Sequence, residues 1–208
     1  MASTEVLVAF AIATALFAYF PGPALLYTAA QTLSRGRRAG LMAALGIHVG
    51  CYAHVIAATL GLSAVFRYVP EAYTALKIAG AAYLVWLGIQ MLRGGIAGDA
   101  PKVTPKSARR AFAESIVVEL LNPKVAIFFI AFLPQFVDPA GSLPVWLQSL
   151  ILGVIINLAF SSADVVTVFA ASAVVGRLRK SGTMERAARW IGGSLLIGLG
   201  VKLGFDKT

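Results

Sequence analysis

The sequence predicts an all-α integral membrane protein with six transmembrane helices. Of its 208 residues, 59% are hydrophobic and only 13% are charged, whereas soluble domains carry about 25% charged residues. Apolar stretches long enough to cross a bilayer follow one another along the chain, separated by short polar segments. The basic residues are concentrated in alternate segments between these stretches. These three observations argue against a soluble globular fold.

The six apolar stretches are placed by their length and by the turn signals that separate them. They comprise residues 4–33, 41–66, 72–92, 112–137, 144–175 and 190–203. The first stretch is interrupted at Pro21-Gly22-Pro23 and the fourth at Leu121-Asn122-Pro123-Lys124. We therefore predict that transmembrane helices 1 and 4 are broken. A basic, glycine-containing turn is expected at residues 34–40, between the first two spans.

The positions of the basic residues predict the orientation in the membrane. Of the 18 lysines and arginines, three follow span one, five follow span three and five follow span five. Short loops rich in basic residues stay on the cytoplasmic side. Both termini are therefore expected in the periplasm of a bacterium, with the protein in the inner membrane. The net charge of +9 thus concerns topology, and no basic domain that would bind nucleic acid is present.

The two halves of the chain resemble each other. Residues 77–89 align with residues 189–201 without a gap, and the first helix break falls opposite the second. Each half contains three spans, so a second copy has to be inserted upside down, as an inverted repeat. We predict one three-helix repeat at 1–93, a cytoplasmic linker at 94–110 and the inverted repeat at 111–208. The alternative is chance similarity between glycine- and alanine-rich membrane helices.

The two helix breaks are the predicted substrate site. A proline inside a helix removes a backbone donor and clashes with the preceding turn, and a lysine at mid-membrane costs about 2.5–3.5 kcal/mol. Such groups persist where they face protein or water. Interrupted spans at corresponding places in two halves of a chain indicate a transporter's binding site. The candidate residues are Pro21, Gly22, Pro23, Asn122, Pro123 and Lys124.

Three further polar residues extend this candidate site. Lys124 either binds a substrate carboxylate or pairs with Glu119 or Asp164 to lock the helices together. Asp164 is an intramembrane carboxylate, which acts either as a proton or cation site or as a counter-ion. Asn157 lies two helical turns before it, on roughly the same face. The sequence leaves these roles open.

Other chemistry finds little support in the sequence. His48, Cys51 and His54 are spaced by three in span two and are suitable metal donors, but no second cluster completes a site. Cys51 is the single cysteine, so no thiol pair for redox chemistry is available. No hydrolase, P-loop or zinc-protease pattern is found. We therefore expect neither an enzyme nor a bound cofactor or metal.

Several motifs resemble the lysine-exporter (LysE) superfamily, in its homoserine/threonine-efflux (RhtB) branch. They are Pro21-Gly22-Pro23, Arg35-Gly36-Arg37-Arg38-Ala39-Gly40, Gly80-Ala81-Ala82-Tyr83-Leu84, Leu121-Asn122-Pro123-Lys124, Phe128-Phe129 and Phe132-Leu133-Pro134-Gln135-Phe136. The resemblance implies an inner-membrane exporter of amino acids or their derivatives, driven by the proton gradient and commonly dimeric. One departure is Ala24, because members of that family usually have Asn or Asp directly after the Pro-Gly-Pro.

The sequence is therefore interpreted as a proton antiporter that exports small amino acids or derivatives. Substrates similar to homoserine or threonine, or other neutral or basic amino acids, fit this interpretation. Expected partners are the amino acid, protons, membrane lipids and a second copy of the chain. The alternatives are a channel, or an exporter of another small solute or of a metal ion.

Overall fold

The computed structural model describes residues 4–68 and 108–178, with isolated positions between residues 75 and 93 and between residues 190 and 201. Within the two continuous ranges the chain is helical and contains no strand. The helices are α1 (Thr4–Tyr19), α2 (Pro23–Arg35), α3 (Arg37–Tyr68), α4 (Ala108–Leu120), α5 (Pro123–Phe132) and α6 (Val145–Leu178), and a 3-10 helix covers Leu133–Phe136.

The described helices include two to four candidate membrane spans. The segments Arg37–Leu62 in α3 and Val145–Ala171 in α6 are each long and apolar enough to cross a bilayer. The pair α1 and α2 is bent by 45° at its break and the pair α4 and α5 by 47°, and each pair forms either one broken span or a re-entrant loop. The all-α membrane class and the two predicted breaks are therefore confirmed.

Other predicted elements lie outside the described residues. These are most of spans three and six, residues 94–107 of the linker, and most of the aligned segments 77–89 and 189–201. The number of six spans and the inverted repeat consequently stay predictions.

Both breaks have the same local construction. Pro23 and Pro123 occupy the first position of α2 and α5, where a proline's missing N–H would have no helical partner anyway and its fixed φ suits the helix. Gly22 and Asn122 precede them as N-caps with extended backbone. The prolines therefore mark the start of a new helix at each break.

The turn between the first two spans is shorter than predicted. We expected a turn over residues 34–40, but α2 ends at Arg35 and α3 begins at Arg37. The reversal takes a single residue because Gly36 has a φ of +83°, a conformation that glycine adopts without steric cost. Its N–H donates to the Thr32 carbonyl, and its own carbonyl accepts from Ala39 and Gly40.

Helix α3 lies at the centre of the described fold and packs against α2, α4 and α6. Its contact with α4 depends on two glycines one turn apart. A methyl group at Gly46 would collide with the Phe112 carbonyl and with Ser115, and one at Gly50 would lie 3.0 Å from the Glu119 Cβ. Small residues of this kind let membrane helices approach closely, and here they bring Glu119 into the interior.

An aromatic column joins α1 to α5 and the 3-10 helix. Phe128 stacks on Phe17 with ring centroids 3.9 Å apart and on Phe132 at 4.3 Å, and Phe132 contacts Phe136 at 4.6 Å. Phe10 closes the far end of the column against Phe132 and Phe136. The outer surface also carries exposed apolar side chains, among them Leu60, Ile130, Leu158 and Phe169. An apolar exterior around buried polar groups suits a lipid environment.

The contact between α3 and α4 predicts different effects of the same substitution at two positions on α3. Gly46→Ala should lower the free energy of unfolding by about 1–3 kcal/mol, because the added methyl overpacks the contact. Gly61→Ala is the control, since a methyl there meets nothing within 4 Å and alanine favours the helix by about 1 kcal/mol. Thermal unfolding in detergent measures both variants. Equal stability of the two would contradict the close approach at Gly46.

Candidate functional site

The two helix breaks meet at Lys124. Its ammonium group extends from the start of α5 to the end of α1, where Nζ donates to the Phe20 carbonyl at 2.8 Å and to the Phe17 carbonyl at 3.3 Å. It also lies 4.3 Å from the centre of the Phe17 ring and 5.5 Å from that of Phe20. The carbonyl end of a helix has negative partial charge and aromatic faces attract cations, so α1 provides a cation-binding end.

Gly22 leaves the space through which the Lys124 side chain passes. A methyl group at Gly22 would lie 2.8 Å from Lys124 Cδ and 3.0 Å from Nζ. Gly22 is also the N-cap of α2 and provides no side-chain hydrogen bond to that helix. The first-turn amides of Ala24 and Leu25 therefore have no capping group, and both residues line the cavity described below.

Asn122 organises the second break with both ends of its amide. Its Oδ1 accepts the backbone N–H of Lys124 at 3.2 Å, which caps α5, and its Nδ2 donates to Glu119 Oε2 at 3.1 Å. Glu119 is fully buried, and its other oxygen, Oε1, has no hydrogen-bond partner among the described residues. One carboxylate oxygen in the interior is thus left unpaired within the described ranges.

Asp164 on α6 provides a second buried carboxylate. Thr28 of α2 donates its hydroxyl proton to Asp164 Oδ1 at 3.2 Å, and Asp164 is only 3% exposed. Asn157, two turns earlier on α6, does not join it, because its Nδ2 donates to the His48 carbonyl at 3.2 Å. Asn157 connects α6 to α3 instead of facing the site.

One cavity collects these groups. It encloses about 350 Å³ of unfilled space, including its open mouth, and is lined by Phe17, Ala18, Phe20, Gly22, Ala24, Leu25, Ile47, Glu119, Asn122, Lys124, Val125, Phe160 and Asp164. The cavity therefore combines one ammonium group and two carboxylates in a mainly apolar lining.

The structure brings together five of the nine predicted site residues: Gly22, Glu119, Asn122, Lys124 and Asp164. Pro23 and Pro123 begin α2 and α5, while Pro21 and Asn157 are not among the lining residues.

The pairing that we considered for Lys124, with Glu119 or Asp164, is not formed within the described ranges. Lys124 binds the α1 carbonyls instead.

Sequence reasoning missed Phe17, Phe20 and Thr28. Phe17 and Phe20 are spaced by three just before the first break, so a search for helix-end carbonyls near a buried cation could have found them. Thr28 had no comparable signal, because its partner Asp164 is 136 residues away.

The histidines in span two have neighbours other than a metal. His48 Nδ1 hydrogen-bonds to Ser161 Oγ at 2.5 Å, and His54 Nε2 to the Glu119 carbonyl at 2.9 Å. Across residues 4–68 and 108–178 no group of three or more potential metal-binding side chains is found. His48 and His54 therefore connect α3 to α6 and α4 by hydrogen bonds.

Comparison with known proteins identifies the family. The family model of the LysE type translocators matches residues 15–207. The chain belongs to the LysE translocator family. It is 35% identical to a homoserine/homoserine lactone efflux protein of Salmonella typhimurium over 70% of each chain, and 29% identical to a threonine efflux protein of Escherichia coli K12 over 88% of this chain and 89% of the relative.

A third relative, an uncharacterized membrane protein of Vibrio cholerae, is 30% identical over 98% of both chains. No solved structure matches this LysE translocator. The family match covers nearly the whole chain, including the segments between and after the described ranges. The predicted resemblance and the assignment to membrane transport are thereby confirmed.

The two bonds of Asn122 predict a graded loss of stability in this LysE translocator. Asn122→Ser keeps a cap acceptor but loses the amide bond to Glu119, whereas Asn122→Ala loses both. Loss of an N-cap costs about 1 kcal/mol. Thermal unfolding in detergent should therefore show the highest stability for the wild-type Asn, a lower one for Ser and the lowest for Ala. Equal stability of the Ser and Ala variants would contradict the capping role.

Proposed function

We propose that this LysE translocator exports small amino acids or their derivatives across the bacterial inner membrane in exchange for protons. The observation that carries the proposal is a cavity in which Lys124, Glu119 and Asp164 occur together. An α-amino acid presents one negative and one positive group within a few bonds of each other. A cavity with an ammonium group and two carboxylates is complementary to both.

The substrate carboxylate is assigned to Lys124 and to the start of α2. Lysine has three N–H donors, of which two are used by the α1 carbonyls, so one is available for a ligand. The uncapped amides of Ala24 and Leu25 lie at the positive end of α2, and such helix ends favour anions. The carboxylate would thus bind between a cation and a helix N-terminus.

The substrate ammonium group is assigned to the two carboxylates. Glu119 Oε1 has no partner in the described part of the chain, and a buried acceptor without a partner costs about 1–3 kcal/mol. A bound ammonium group would recover that free energy. Asp164 binds Thr28 through one oxygen and has no other partner among the described residues, so it can accept either the ammonium group or a proton.

Competition for the same carboxylate supports exchange. A site that holds a proton in one half of the cycle and an ammonium group in the other links proton entry to substrate exit. One proton that enters across 100 mV yields about 2.3 kcal/mol. At about 1.4 kcal/mol per tenfold, this supports a concentration ratio of roughly 40-fold for a neutral substrate.

The remaining parts of the proposal follow from the sequence and from the relatives. Relatives named for efflux of homoserine, homoserine lactone and threonine support amino acids as substrates. The distribution of basic residues supports cytoplasmic loops and periplasmic termini. It fits two inverted three-helix units, 1–93 and 111–208, joined by a cytoplasmic linker at 94–110. The family resemblance supports a homodimer.

Exchange in proteoliposomes tests the proposed function. Vesicles loaded with an unlabelled amino acid should accumulate the labelled compound transiently without any ion gradient, because a carrier exchanges and a channel does not.

Asp164→Asn should keep this exchange but lose proton-driven accumulation in inverted vesicles. Asp138→Asn, in the turn before α6, is the matched control. If driven transport by Asp164→Asn is unchanged, Asp164 is not the proton carrier.

The role of Lys124 predicts a loss of charge recognition. Lys124→Gln should weaken binding by about 1.5–3 kcal/mol, roughly 10- to 150-fold, because a charge-assisted hydrogen bond to the substrate carboxylate is lost. The variant should also lose its preference for an amino acid over the corresponding amide. Inhibition of exchange by the two compounds measures this, with Lys106→Gln as the control. If the affinities for the amino acid and for the amide fall equally, Lys124 serves only to cap α1.

A further inference from the structure

We infer that the cavity selects α-amino acids with a small, apolar side chain over those with a hydroxyl group or a second charge. The inference rests on the proposed function and names the substrate class of the same site. It follows from the polar groups of the lining that are available to a ligand, and from the character of the rest.

The available polar groups match the charged end of an amino acid. They are the third N–H of Lys124, the uncapped amides of Ala24 and Leu25, Glu119 Oε1, and the Asp164 oxygen that Thr28 does not bind. Donors on one side serve a carboxylate, and acceptors on the other serve an ammonium group. The α-amino acid end can therefore engage each of these groups.

The remaining polar side chain of the lining offers little to a substrate hydroxyl. Asn122 uses its oxygen to cap α5 and its nitrogen to hold Glu119. A ligand that recruited Asn122 would compete with bonds that shape the second break. A hydroxyl on the substrate side chain would thus lose its water without gaining an equivalent partner.

The other walls of the cavity are apolar. Phe17 and Phe20 surround the Lys124 ammonium, and the remaining apolar side chains are Ala18, Ala24, Leu25, Ile47, Val125 and Phe160. Such walls favour a methyl group over a hydroxyl of the same size. Because the unfilled space of about 350 Å³ includes the open mouth, the interior is smaller than this and restricts the side chain to a few carbons.

Three amino acids of nearly equal shape test this inference. Norvaline, homoserine and 2,4-diaminobutyrate have side chains that end in a methyl, a hydroxyl and an ammonium group. In the exchange assay, norvaline should half-saturate wild-type protein at a concentration about 10- to 100-fold below that of homoserine, the range by which apolar pockets discriminate isosteres. The half-saturating concentration of diaminobutyrate should lie at least as far above that of norvaline.

The possible results separate this inference from the proposed function. Equal or better exchange of homoserine would overturn the inference and leave the proposed function intact. Preference for diaminobutyrate would also overturn it, because a carboxylate would then bind a side-chain ammonium group. Failure of all three to exchange would overturn both.

A hydroxyl placed in the wall provides the reciprocal test. Val125→Thr on α5, and independently Ile47→Thr on α3, each add one hydroxyl to the lining and should reduce the ratio of norvaline to homoserine affinity several-fold. Val55→Thr is the control, because Val55 is fully buried but does not line the cavity. An unchanged ratio in both cavity variants, or the same reduction in Val55→Thr, would overturn the inference.

Discussion

The contact of Lys124 with the last carbonyls of α1 is the interaction on which the site depends. An ammonium group near the N-terminus of α5 adds to the positive end of that helix, which is unfavourable by itself. The carbonyl end of α1 has the opposite partial charge and receives this cation at Phe17 and Phe20. The two breaks are therefore complementary. The first has carbonyl acceptors where α1 ends, and the second has the Lys124 ammonium group, which needs acceptors.

Close approach is the second requirement, and glycine meets it twice. At Gly22 the missing side chain lets Lys124 reach α1, and at Gly46 and Gly50 it lets α4 pack directly on α3. Helices in lipid gain little from burying apolar surface against one another, so contacts between small residues are a main source of their association. Here the same contacts hold Glu119 in the interior beside the second break.

Buried charges that are only partly satisfied distinguish this cavity from a structural ion-pair network. Had Lys124 paired with Glu119 or Asp164, removing either partner would strand a charge, and a ligand would have to compete with the pair. The ammonium group is instead held by carbonyls and aromatic rings, while one Glu119 oxygen has no partner among the described residues. Both signs of charge thus occur within one small space without being paired to each other in the described ranges. That arrangement is suited to a zwitterion that enters and leaves, because no internal bond between opposite charges has to be broken first.

The sequence by itself determined the membrane class, the two breaks and most of the charged site. These follow from apolar length, from proline, and from the high free energy of placing Lys124, Glu119 and Asp164 in lipid, all of which can be evaluated along one chain. Only the tertiary structure decided how those groups are paired. Lys124 binds carbonyls 104 and 107 residues away, and Asn157 turns to α3 while Asp164 faces the cavity. The choice depends on the bend at each break and on the rotation of each helix about its axis, which are set by packing between distant segments and have no local signal.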